Sequence, residues 1–150
     1  MKGSLYLIPN TLGGDNPGEV IPEGVVGKLR ELDHFIVENE RNARRFLIKC
    51  EYQKPLDSVR FFLLNKHTPA AERREYIKLC TEGQDMGVIS EAGLPGVADP
   101  GAEIVSLAHH SGIRIIPLAG PSSIFLALMS SGMNGQEFCF HGYLPVKPHD

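Results

Sequence analysis

Two periods of hydrophobic and polar residues alternate along the chain. Short apolar runs of strand length occupy residues 4–9 (SLYLIP), 34–38 (HFIVE), 59–64 (VRFFLL), 86–89 (MGVI) and 113–117 (IRIIP), rich in β-branched and aromatic side chains. Between them apolar residues recur at helical spacing: Val26, Leu29 and Leu32 within 23–32, Tyr76, Leu79 and Cys80 within 69–80, and Ile104, Leu107 and Ala108 within 102–110. Residues 46–54 complete another helix that turns at Pro55. A strand–loop–helix unit thus recurs five times without a hairpin signal. That order predicts an α/β fold with a mostly parallel five-stranded sheet and helices on both faces. Residues 124–129 (IFLALM) have almost no polar face, which predicts a buried helix. FCFHGY at 138–143 predicts one further strand, and LPVKPHD after it a proline-broken tail. No internal repeat or low-complexity segment interrupts this order.

Three of the predicted loops stand out because each follows a strand and is built from small or rigid residues. The central one, SEAGLPGVADPG at 90–101, carries three glycines, two prolines and two acids. Asp99 and Pro100 read as a helix cap followed by a first-turn proline. The preceding Glu91-to-Gly96 stretch is longer than a plain strand-to-helix turn needs. The first loop, NTLGGDNPGEVIP, holds neither G-x-G-x-x-G nor G-K-[ST], which excludes the dinucleotide fingerprint and the P-loop. The third, LAGPSS at 118–123, sets a tight turn and two hydroxyls, Ser122 and Ser123, before a helix. In an open parallel sheet such loops share the carboxyl ends of the strands and converge on one crevice.

Composition narrows the choice of partner and compartment. Over 150 residues, 42% are hydrophobic and 22% charged, the balance of a globular domain. A formal charge of −3 gives no bulk attraction to nucleic acid, so RNA contact requires a local basic patch. Cys50, Cys80 and Cys139 lie far apart with no C-x-x-C spacing, which predicts a reducing compartment and no zinc site. No apolar run reaches membrane-spanning length and no signal-peptide pattern opens the chain, so a cytoplasmic location is expected. Glu38 closes the second strand and should face the crevice. His67 lies in the loop after the third strand, as a candidate base or substrate contact. Arg44 and Arg45 read as cations on the solvated face of a helix.

The loops, taken together, resemble a known family. IPNTLGG, ISEAGLPGVADPG, PLAGPSS and FHGYLPVK, in this order and spacing, are similar to the tetrapyrrole methylase superfamily, closest to the bacterial branch that 2′-O-methylates a cytidine of small-subunit ribosomal RNA. The likeness covers nearly the whole chain, from about Leu5 to Lys147. It implies S-adenosyl-L-methionine as methyl donor, a homodimer, and two domains with the donor in the cleft between them. Residues 1–142 would be the N-terminal domain and 143–150 the start of a linker. It further implies that Ala92, Gly93, Leu94 and Val97, with Ser90 beside them, Leu12 in the first loop, and Ser122 and Ser123 bind the donor. Glu38 and His67 are then the candidate bases, with rRNA or the small ribosomal subunit as acceptor and no metal.

The sequence departs from the family on the acceptor side. The family's E-D-T-R is Glu38-Asn39-Glu40-Arg41 here, its H-E-H-N is Asn65-Lys66-His67-Thr68, and its S-D-A-G is Ser90-Glu91-Ala92-Gly93. Two other readings therefore stand beside RNA methylation. One is methylation of a tetrapyrrole or other small molecule, against which Arg41, Arg44, Arg45, Arg73 and Arg74 weigh. The other is a non-catalytic α/β domain that holds a metabolite.

Overall fold

A computed structural model describes residues 1–14 and 16–144. Five strands form one sheet: β1 (Ser4–Ile8), β2 (His34–Val37), β3 (Arg60–Leu63), β4 (Met86–Ile89) and β5 (Arg114–Pro117). Every pairing is parallel and the spatial order is β3-β2-β4-β1-β5. Each strand leads into a helix: α1 (Glu23–Glu31), α2 (Glu40–Lys49), α3 (Ala70–Thr81), α4 (Gly101–His110) and α5 (Ser123–Ser131).

The order of the strands decides which face each helix covers. From β1 to β2 and on to β3 the chain steps toward one edge, whereas β3 to β4 and β4 to β5 step toward the other. Right-handed crossovers must then place α1 and α2 on one face and α3 and α4 on the other. Two separate cores show this. Val25, Val26 and Leu29 of α1 and Ala43, Phe46 and Leu47 of α2 pack with Ile8, Phe35, Val37 and Ile89. Tyr76, Ile77 and Cys80 of α3 and Ile104 and Ala108 of α4 pack with Leu5, Ile36, Met86 and Val88. Strand residues alternate between these sets with the period of two that pleating requires. In central β4 a Cβ on Gly87 would stand 2.6 Å from Ile8 Cδ1 and 2.9 Å from Phe35 Cδ1, so glycine there lets both side chains reach the sheet.

Three expectations need correction. No strand forms at 138–143, which runs without regular structure alongside α5 and touches it through Phe138 on Phe125. The helix expected over 46–54 belongs to α2 and stops at Lys49, where Cys50 and Glu51, the latter at φ 54°, turn the chain. The apolar helix α5 has no buried residue, and Phe125 and Met129 are 56% and 76% exposed. It follows the edge strand β5, beyond which no further element of the described residues lies to cover it. The tail at 145–150, with most of the expected linker, lies outside the described residues.

Candidate functional site

At the carboxyl rim of the sheet the three loops are fastened to one another. The Asn10 N–H donates to the Gly93 carbonyl at 2.9 Å, and the Gly93 N–H returns to the Thr11 carbonyl at 3.4 Å. The Asn10 side-chain amide also donates to the Ser90 carbonyl at 2.9 Å. A Cβ on Gly93 would meet Leu12 Cδ2 at 3.2 Å and the Pro121 carbonyl at 3.5 Å, so first, central and third loops close on this one residue. Gly93 has φ 67°, in the left-handed region where glycine is favoured. Ser90 sits beneath, buried, its hydroxyl donating to the carbonyls of Ala92 and Gly93 at 3.2 and 3.1 Å. It shapes the loop from below and does not line the space above.

That space is a cavity of about 50 Å³ lined by Leu12, Ala92, Gly93, Leu94, Val97, Ser122, Ser123, Ile124 and Tyr143. Seven of the eight residues expected to bind the donor therefore share one cavity, and Ser90 supports it. Ser122 precedes α5 yet makes no side-chain capping bond, and the Ser123 hydroxyl meets the Tyr143 hydroxyl at 3.1 Å. Tyr143 went unrecognised in the sequence because it was assigned to a strand. Small residues, apolar walls and main-chain groups suit an uncharged nucleoside and a methionine portion. The cavity is smaller than the roughly 300 Å³ a ligand of that size fills.

The central loop has a second face. Ala98, Asp99 and Pro100 line a cavity of about 620 Å³ together with Glu38, Asn65, Lys66, Arg73 and Glu103. Asp99 holds the loop in place, its Oδ1 accepting from the Gly96 N–H at 2.6 Å and the Gly101 N–H at 2.8 Å. Its bond to Gly101 meets the first helical residue of α4, but the N-cap position is Pro100, one residue later than expected. Burial pushes the Asp99 carboxyl up from the usual range, opposed by these two donors. Ala98 between the two faces holds φ 55°, a strained conformation for a residue with a Cβ. Glu38 follows β2 directly and is half-buried. Burial first, then the negative charges of Asp99 and Glu91, push its carboxyl up; a hydrogen bond from the Glu91 main chain opposes them. Lys66 brings positive charge to this cavity, while the Arg73 guanidinium is paired with Glu103.

His67 is placed differently. It is exposed on the turn after β3, its N–H donating to Asn65 Oδ1 at 2.8 Å, and it is not among the residues that line the cavity. Its neighbours Asn65 and Lys66 take that place. Asp99, Lys66 and Arg73 also line this cavity, although the sequence marks none of them as a candidate base or donor contact. Asp99 had been accounted for by its capping role, and the position of Arg73 depends on how α3 crosses the sheet. Among the described residues no group of three or more His, Cys, Asp or Glu stands together as a metal site.

An all-parallel sheet in this strand order, with three glycine-proline loops joined at one rim, defines an open α/β protein whose candidate site lies at the carboxyl ends of the strands. No family model matches the chain. It is 30% identical over 146 residues to ribosomal RNA small subunit methyltransferase I of Escherichia coli O157:H7, covering 97% of this chain and 48% of that protein. It is 31% identical to the protein of the same name from Xylella fastidiosa, over 97% of this chain and 50% of the relative. For that of Leptospira biflexa the identity is 31%, over 98% and 58%. Over nearly its whole length the chain is thus similar to these methyltransferases. It spans about half the length of the curated relatives it matches.

Proposed function

We propose that the protein is an S-adenosyl-L-methionine-dependent methyltransferase that methylates a ribose 2′-hydroxyl of a cytidine in small-subunit ribosomal RNA. The observation that carries this reading is the convergence of Leu12, Ala92–Leu94, Val97, Ser122 and Ser123 on one cavity, with a carboxylate-bearing cavity across the same loop. The names of the relatives supply the acceptor.

When bound, S-adenosyl-L-methionine supplies an electrophilic methyl group on a sulfonium. The chain's own residues then have three tasks. The Ala92–Leu94 main chain and the apolar faces of Leu12 and Val97 hold the donor's nucleoside, while Ser122 and Ser123 offer hydroxyls to its polar end. The loop 92–100 keeps donor and acceptor in adjoining spaces, and orientation of this kind is the main source of rate when the leaving group is already reactive. Glu38, its carboxyl raised toward neutrality, accepts the proton of the attacking hydroxyl. His67 is the competing base and lies further out on the same rim.

Residues beyond this chain complete the donor cavity and cover α5, in a two-domain, homodimeric, cytoplasmic protein. The bare apolar surface of Phe125, Leu126 and Met129 and the small donor cavity support this part of the reading. The test is transfer of a radiolabelled methyl from donor to small ribosomal subunits by the intact protein, with free porphyrinoids as the rival acceptor. Label on porphyrinoid alone overturns the RNA assignment. Label on neither, with donor bound, favours a metabolite-binding domain.

A further inference from the structure

The two cavities flanking the central loop leave a third unexplained. It measures about 220 Å³ and is lined by Asn10, Thr11 and Glu91 on one side and by Asn42, Arg45, Phe46 and Lys49 of α2 on the other. We propose that this cavity and the α2 surface leading into it bind backbone phosphates of the acceptor RNA, with Arg41 and Arg45 as contacting cations. The proposal rests on RNA as the acceptor and adds where its backbone lies.

The arginines of α2 divide by what they touch. Arg44 is fully occupied: it pairs with Glu40 at 2.9 Å, lies 3.7 Å from Asp57, and stacks on the Phe61 ring at 5.1 Å. Arg41 and Arg45 are exposed, and among the described residues neither has an ion pair or a hydrogen bond. Paired surface cations elsewhere, such as Lys28 with Glu31 and Lys54 with Asp33, show that the fold satisfies such groups where carboxylates are at hand. Residues 41, 45 and 49 are four apart and share one helix face, spanning about 12 Å along the axis. A guanidinium fork without a carboxylate matches a phosphate well.

Position ties this face to the chemistry. Asn42 Nδ2 donates to Glu91 Oε2 at 2.5 Å, joining α2 to the central loop. The bond engages the one carboxylate that the described residues place in the cavity wall. Asn10 and Thr11 are followed by Leu12, and Glu91 by Ala92, both on the donor cavity. A strand of RNA gripped at Arg45 is thus held beside the methyl donor. The net charge of −3 leaves attraction of RNA to a local patch of this kind.

The experiment measures binding of a labelled synthetic RNA hairpin and of purified small ribosomal subunits to the intact protein across a salt series. Arg41→Gln with Arg45→Gln should weaken RNA binding about ten-fold and flatten the plot of log affinity against log salt by about 1 per arginine. Donor affinity and thermal unfolding should hold, and the Arg41→Lys, Arg45→Lys pair should restore most of the slope. Arg114→Gln removes an exposed cation from the opposite, amino-terminal rim and should leave the slope unchanged. An unchanged slope in the double Gln variant, or an equal change in Arg114→Gln, overturns the inference. Failure of the unmutated protein to bind RNA while binding donor instead overturns the acceptor assignment, and this inference with it.

Discussion

Gly120 lies directly against Pro9. A Cβ at Gly120 would stand 2.1 Å from the Pro9 Cβ and 2.4 Å from its Cγ, distances no side chain accommodates. The first and third loops can therefore meet only because residue 120 has no side chain. Gly120→Ala should force them apart, lower stability by about 1–3 kcal/mol as overpacking does, and weaken donor binding with it. Thermal unfolding and calorimetric titration with donor would show both; an alanine variant with native affinity would mean the loops adjust independently.

Gly93 makes a sharper case, since its own conformation and its surroundings both exclude a side chain. Gly93→Val would place a branched Cβ at φ 67° and within 3.2 Å of Leu12. Donor affinity should fall at least ten-fold, about 1.4 kcal/mol, while the distant core around Phe35 and Leu47 remains folded. Circular dichroism alongside the titration separates the two effects. Undiminished donor binding in a folded variant would remove Gly93 from the site.

The five strand–helix units and the parallel sheet were legible because each strand is a short, mostly apolar run and each of the first four helices has one buried face. The meeting of the three loops was legible too, since Gly93 and Gly120 mark places where one loop lies close against another. Other features were not. Period alone cannot say whether an apolar helix such as α5 is covered by its own chain, and FCFHGY has strand composition yet pairs with neither edge of the sheet. Asp99 showed only its local role, because its proximity to Glu38 arises from the adjacency of β2 and β4, which lie far apart in sequence.

The exposure of α5 can be tested directly. Amide hydrogen exchange across Ser123–Ser131 should be fast in the 1–150 chain, where Phe125, Leu126 and Met129 are 56%, 46% and 76% exposed. In the intact protein it should slow by about ten-fold or more, since covering the helix adds local stability of at least about 1.4 kcal/mol. Equal rates in the two forms would mean that nothing in the longer protein packs there.

Glu38 and Asp99 set a pH dependence with a definite sign. Burial and the neighbouring charges of Asp99 and Glu91 raise the Glu38 carboxyl, so it ionises above the ordinary value of about 4.3. If ionised Glu38 takes the ribose proton, the acid limb of the rate profile lies above that value, and Glu38→Gln cuts kcat about 100-fold or more. Asp99→Asn keeps an oxygen for the Gly96 and Gly101 N–H groups but removes a like charge, so the limb should move to lower pH. Stability gives an independent reading. A carboxyl raised in the folded state binds its proton more tightly there than in the unfolded chain, so its contribution is present below the ordinary value and is lost as pH rises through the raised one. Glu38→Gln should therefore gain on the unmutated protein as pH climbs through that window. A limb that is unmoved by Asp99→Asn and abolished by His67→Gln would transfer the role of base to His67.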